Sequence, residues 1–178
     1  MKELSLHILD IAENSVKAHA TLIEIDVSEN FSDNILTITV KDNGCGMDSE
    51  FLKTVTDPFS TTRKTRKVGL GIPLFKEAAI RCGGKFDIKS KPKIGTEVFA
   101  SFILNHIDKA PIGNMSDTIL TLVSGSPKID FIYTHTKNDN NFIFSTAEIR
   151  NILGEVPLNS PEVLVWIKDY ILNCESKL

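Results

Sequence analysis

Three cysteines in 178 residues, at positions 45, 82 and 174 and without C-x-x-C spacing, build neither a disulfide framework nor a zinc site. They read as reduced thiols of a cytoplasmic protein. No apolar run approaches the length needed to cross a bilayer, and the N-terminus lacks a signal-peptide pattern. Positive charge is also short. Twenty Lys and Arg against 23 Asp and Glu leave a formal net charge of −3, which argues against a general nucleic-acid binder. His106 and His135 have no carboxylate or cysteine at metal-ligand spacing, so both read as ordinary surface or core histidines. What remains suffices for a core: 42% of the residues are apolar and 24% charged, as in a soluble domain with, at this length, a small appendage.

The organising stretch is ILTITVKDNGCGM, a strand running into a glycine turn. It delivers Asp42 at the strand's end, and Gly44 and Gly46 let the backbone turn away beside it. A carboxylate at a shallow, backbone-lined hollow suits a flat ligand with an exocyclic amine. An ordinary hairpin turn is an equal reading of this segment alone. Upstream, residues 4–18 carry one apolar stripe at three- and four-residue spacing, with His19 at its end, and so predict a helix. Asp10 and Asn14 lie four apart off that stripe and share a face, whether of a pocket or of a solvated helix. Residues 20–27 and 35–40 read as a hairpin around a turn at 29–34. A short helix follows over 48–55, with Asp48 or Ser49 as N-cap, and Pro58 ends it.

Residues 60–68 have no periodicity. They combine Ser60, Thr61 and Thr62 with Arg63, Lys64, Arg66 and Lys67. Gly69-Leu70-Gly71 then opens a helix through Arg81, with Pro73 in its tolerant first turn. A basic loop ending at an amide-rich helix start is a common way to hold phosphates. It is equally a mobile surface loop with a glycine hinge. A second hairpin over 85–90 and 96–104 completes an α+β unit: a two-layer α/β sandwich whose antiparallel or mixed sheet is covered by helices on one face. The composition shifts at 107–114, which divides the chain into residues 1–105 and a small α/β C-terminal extension, 106–178. That extension predicts a helix over 115–123, a hairpin over 129–135 and 141–144, and two more helices. Ser145 and Glu148 form a capping box for the first of these; the second spans 161–173, with Trp166 and Ile167 on its buried side. No chemistry is legible in it.

Together these stretches resemble the GHKL family of ATP-binding domains, which share the Bergerat fold and include histidine-kinase catalytic domains, Hsp90 and type II topoisomerases. The matches fall in family order: DIAEN at 10–14, DNGCGM at 42–47, PFSTTRK at 58–64, VGLGIPL at 68–74 and GT at 95–96. They cover about the first hundred residues. The resemblance implies ATP and Mg²⁺ as ligands. It assigns Asn14 to the metal, Asp42 to the adenine amino group, Gly44, Gly46 and Met47 to the adenine pocket, and Thr96 to its support. Gly69, Leu70 and Gly71 would serve the phosphates in a movable lid, with Thr62, Arg63 or Lys64 adding charge-assisted contacts. The family's usual general base, a glutamate four residues before the asparagine, is here Asp10, one methylene shorter. Catalysis is sensitive to such misplacement.

The expected function is therefore a Mg²⁺–ATP-binding protein of the histidine-kinase-like class that phosphorylates or regulates a partner protein. Alternatives are a non-catalytic, nucleotide-dependent interaction module and a mismatch-repair-like ATPase. The latter is suggested by ENSVKAHAT but opposed by the acidic balance and by an extension that matches no transducer domain. The chain starts directly on the asparagine helix, so an autonomous sensor kinase with its own phosphoacceptor hairpin is not expected; a homodimer remains open.

Overall fold

The computed structural model describes residues 2–55 and 70–178. The elements follow the order α1 (Leu4–Lys17), β1 (Leu22–Asn30), β2 (Ile35–Asp42), α2 (Ser49–Val55), α3 (Gly71–Arg81), β3 (Phe86–Lys91), β4 (Gly95–Ile103), α4 (Met115–Gly125), β5 (Asp130–Lys137), β6 (Asn140–Ser145), α5 (Thr146–Leu153) and α6 (Pro161–Glu175). The strands form one mixed six-stranded sheet in the order β3-β4-β2-β1-β5-β6. Among the described residues only the β1–β5 pair is parallel. This is the expected α+β sandwich.

Period-two patterning explains the layering. Ile23, Ile25 and Val27 of β1 are buried while Asp26 between them is exposed. Leu36, Ile38 and Val40 on β2 and Val98, Ala100 and Phe102 on β4 continue the same buried face. Against it pack Leu4, Ile8 and Ile11 of α1, Phe75 and Ala79 of α3, Met115, Ile119 and Val123 of α4, and Ile167 and Ile171 of α6, in one cluster. The segment after residue 106 thus adds two strands to the edge of the first sheet and two helices to its core.

Three local readings differ from the sequence pattern. Helix α1 stops at Lys17, and His19, placed on its stripe, takes a left-handed φ of 59° that turns the chain into β1. β1 runs on to Asn30 because Ser28, Glu29 and Asn30 find backbone partners on β2, and Ser28 and Glu29 on β5 as well. On α6 the buried residues are Val163, Ile167 and Ile171, whereas Trp166 lies half exposed and stacks on Tyr170 with ring centroids 5.2 Å apart. The caps agree with expectation: the Asp48 carboxylate accepts from Phe51 N at 2.8 Å, and Ser145 Oγ accepts from Glu148 N at 3.5 Å.

Candidate functional site

β2 carries Asp42 to the end of the sheet, directly opposite Thr96 on β4. Its carboxylate is held from three sides. Oδ1 accepts from Gly44 N at 2.8 Å and Thr96 N at 3.3 Å, and Oδ2 accepts from the Ser15 hydroxyl at 2.6 Å. The two amides come from the turn and from the neighbouring strand, and the hydroxyl from α1, so three elements fix one side chain. Among the described residues nothing else bonds to Oδ2, which leaves it a lone pair.

The turn beyond Asp42 is anchored with similar care. Asn43 Oδ1 accepts from Thr21 N at 2.8 Å and Leu22 N at 3.0 Å, stitching the turn to the start of β1. Cys45 N donates to Ala18 O at 2.8 Å, and Lys93 N to Cys45 O at 2.7 Å. Gly46 takes a φ of +64°, and a Cβ there would stand 2.0 Å from the Lys91 carbonyl oxygen, so only glycine fits. Met47 N donates to Ser90 Oγ at 2.8 Å, and that hydroxyl lies 2.8 Å from Thr96 Oγ1.

Between α1 and this turn opens a cavity of about 500 Å³. Ile11, Ala18, Val55, Ile72 and Val98 supply apolar wall. The predicted residues Asn14, Asp42, Gly46, Met47 and Thr96 line it too. A largely apolar cleft of this size with a few convergent polar groups suits a small organic ligand with a flat apolar body.

The remaining predicted residues fall outside that wall. Gly44 serves through its amide on Asp42. Asp10 sits one turn before Asn14 and packs on Gly71 at the start of α3, where a Cβ would approach its Oδ2 to 3.3 Å. Burial, then the Glu13 charge, raises the Asp10 pKa above the ordinary carboxylate value, with Lys17 opposing. Leu70 immediately precedes α3. Thr62, Arg63, Lys64 and Gly69, with the rest of the proposed lid over 59–68, lie outside the described residues. Sequence reasoning missed Ser15, Asn43 and Ser90. Ser15 carried one usable signal, a hydroxyl on an otherwise apolar stripe.

Comparisons with known proteins bear on the family and the fold. A family model described as histidine kinase-, DNA gyrase B- and HSP90-like ATPase matches residues 2–106. The chain is 31% identical over 109 residues to a putative sensor protein of Shewanella frigidimarina, covering 61% of this chain and 16% of that one. It is 33% identical to sporulation kinase D of Bacillus subtilis, covering 51% and 18% of the two chains. Against the signal transduction histidine-protein kinase AtoS of Escherichia coli the identity is 34%, covering 53% and 15%. The chain therefore spans less than a fifth of each of these relatives. Among solved structures, the Aquifex aeolicus MutL ATPase domain complexed with ADP superposes with a TM-score of 0.53 at 16% identity, over 79% of this chain and 62% of that one. The N-terminal domain of a DNA repair protein gives a TM-score of 0.59 at 14% identity, over 80% and 52%. At such identities the likeness is one of fold, and it extends beyond the span of the family model.

Proposed function

Since the chain belongs to the histidine kinase-, DNA gyrase B- and HSP90-like ATPases, we propose that the cavity between α1 and the Asp42 turn binds Mg²⁺–ATP and that the bound nucleotide serves to phosphorylate or regulate a partner protein. The observation that carries this reading is the pinned carboxylate: Asp42, held by Ser15, Gly44 and Thr96, faces the cavity as a pure acceptor. An adenine amino group donates to it. A guanine carbonyl in the same place would be repelled, which gives the site its base preference.

Asn14, on the same cavity wall, is the residue to hold Mg²⁺ through its amide oxygen. Among the described residues no group of three or more His, Cys, Asp or Glu could hold a metal by itself. That suits a cation bound mainly through phosphate and water oxygens, and Mg²⁺ supplies charge neutralisation along the phosphates. Gly69, Leu70 and Gly71, with Thr62, Arg63 and Lys64, are assigned to the phosphate side, where helix-start amides and basic side chains match a polyanion. Asp10, one turn from Asn14, is the residue to orient the attacking group. Its raised pKa matches a general base better than a free aspartate would.

Its short reach and its packing on Gly71 favour the second reading, a nucleotide-dependent interaction module without turnover. Calorimetric titration with ATP in Mg²⁺ tests binding. Affinity should fall in Asp42→Asn and Asn14→Ala, and unchanged affinity in both would overturn the assignment. A radiolabel-transfer and phosphate-release assay then separates the readings: turnover abolished by Asp10→Ala establishes catalysis, and its absence in the unmodified chain establishes the module.

A further inference from the structure

Far from the cavity, at the other end of β1, four polar side chains form a buried chain between the sheet and α6. His135 on β5 is 4% exposed and Glu29 on β1 is 9% exposed. His135 Nε2 stands 3.0 Å from Glu29 Oε1, and its Nδ1 stands 3.0 Å from the Tyr133 hydroxyl and 3.5 Å from Glu175 Oε1. The Tyr133 hydroxyl in turn donates to Glu175 Oε1 at 2.8 Å. Glu175 is the last residue of α6.

Counting protons settles the state of the ring. Tyr133 has one hydrogen and gives it to Glu175, so toward His135 it can only accept. Glu29, as a carboxylate, also only accepts. With the Tyr133 hydrogen on Glu175, both ring nitrogens donate and His135 is an imidazolium. The surroundings agree. Burial works against the charged ring, but the hydrogen bonds it donates to Glu175 and Glu29, and then their charges, outweigh it and raise the His135 pKa above the ordinary histidine value. The His135 hydrogen bond lowers Glu29 against its own burial, with the charges of His135, Lys137 and Lys109 assisting. Burial, and then Glu175, raise Tyr133, which stays protonated. Asp26, across β1, feels the His135 charge as well. The groups facing the ring are thus two carboxylates and a phenol, with Asp26 on the opposite face of the sheet, Lys137 3.9 Å from Glu29 and Lys109 beyond it.

Glu175 is badly placed without that cation. It sits at the negative end of the helix dipole, and the last turn of α6 contains no basic residue. The imidazolium is the charge that makes its position favourable.

We propose that Glu29, His135, Tyr133 and Glu175 form a proton-dependent latch that fastens the last turn of α6 to β1 and β5 and lets it go when the ring loses its proton. The sign follows from linkage. A histidine raised by folding contributes fully below its unfolded value, about 6.5, and the contribution disappears as pH rises through the raised folded value. The latch is closed below about pH 6.5 and opens as the pH rises through the ring's raised value. It requires no nucleotide, so it stands or falls apart from the ATP site.

Two measurements on the whole chain test it. The ¹⁵N shifts of the His135 imidazole should report both nitrogens protonated at about pH 6.5 and a neutral ring at higher pH. Amide exchange at residues 171–175, corrected for its intrinsic pH dependence, should stay slow while the ring is charged and accelerate over the same transition. In Glu175→Gln, whose side chain is 22% exposed and tolerates an isosteric change, exchange there should already be fast and insensitive to the ring's titration. A neutral ring at about pH 6.5, a flat exchange profile in the unmodified chain, or an equal pH response in Glu175→Gln would each overturn the latch. The imidazole spectrum decides the matter even if the variant does not fold.

Discussion

Asp42 has room for about four incoming hydrogens, and the protein fills three of those places itself. That arithmetic makes Ser15 a controlling residue. Ser15→Ala should weaken ATP about tenfold or more, because a hydrogen bond to a charged group contributes about 1.5–3 kcal/mol. It should also narrow the preference for ATP over GTP, since a carboxylate freed on one side can rotate. Parallel calorimetric titrations with both nucleotides check this, and an unchanged ATP/GTP ratio would leave Ser15 as mere packing. Gly95 on β4 bears on the backbone of the same residue. It takes a φ of +133°, and a Cβ would stand 1.9 Å from the Asp42 carbonyl oxygen. Gly95→Ala should cost at least about 1–3 kcal/mol of stability, seen as a lower urea midpoint at constant m-value. Asp42 and Gly46 were legible because strand alternation and a glycine turn place a carboxylate at a predictable spot, whereas Asn14 was picked out by the family resemblance. Ser15 was not, because a lone hydroxyl on a helix stripe names no partner and only the folded register brings it to 2.6 Å from Asp42.

At the scale of elements, the contact between α1 and α3 holds a group that works against the fold in acid. His7 is 3% exposed and lies 5.4 Å from the Phe75 ring, and its Nδ1 has no hydrogen-bond partner among the described residues. Burial lowers its pKa to about 4. The unfolded chain therefore binds the proton first, and stability falls as pH drops from about 6.5 toward about 4. The full loss is about 3 kcal/mol, at about 1.4 kcal/mol per pKa unit. His7→Leu should flatten this part of the stability profile in urea titrations. An unchanged slope would assign the acid sensitivity to the carboxylates. Elements themselves were well marked, since periods of two and 3.6 survive in any packing. Their ends were not. β1 gains residues beyond Val27 from partners on β2 and β5, which no local pattern contains. Neighbours on a helix point about 100° apart, so Trp166 and Ile167 could not both face the core. The four-residue spacing of Val163, Ile167 and Ile171 decides for Ile167.

At the scale of the molecule, the parallel pairing of β1 with β5 joins strands separated by more than a hundred residues, from Leu22 with Asp130 to Glu29 with Lys137. Composition marks a boundary near residue 106, and the sheet runs straight across it. Without β5, the inner β1 becomes an edge, exposing unpaired backbone groups along Ile23, Ile25 and Val27. Without α4 and α6, the apolar cluster loses Met115, Ile119, Leu122, Val123, Ile167 and Ile171. α1 suffers as well. Its N-cap residue Glu3 makes no side-chain cap, and the first helical amides instead find the segment before α4: Leu4 N donates to Pro111 O at 2.9 Å and Ser5 N to Ile112 O at 2.7 Å. These losses fall on the helix that carries Asn14 and Ser15. A fragment of residues 1–105 should therefore lack cooperative unfolding, bind hydrophobic dyes and lose nucleotide affinity, whereas the whole chain unfolds in one step. Thermal and urea melts of the two side by side make the comparison. A fragment that melts cooperatively and binds ATP as the whole chain does would show that the second half is an attachment to the nucleotide fold and no part of its foundation.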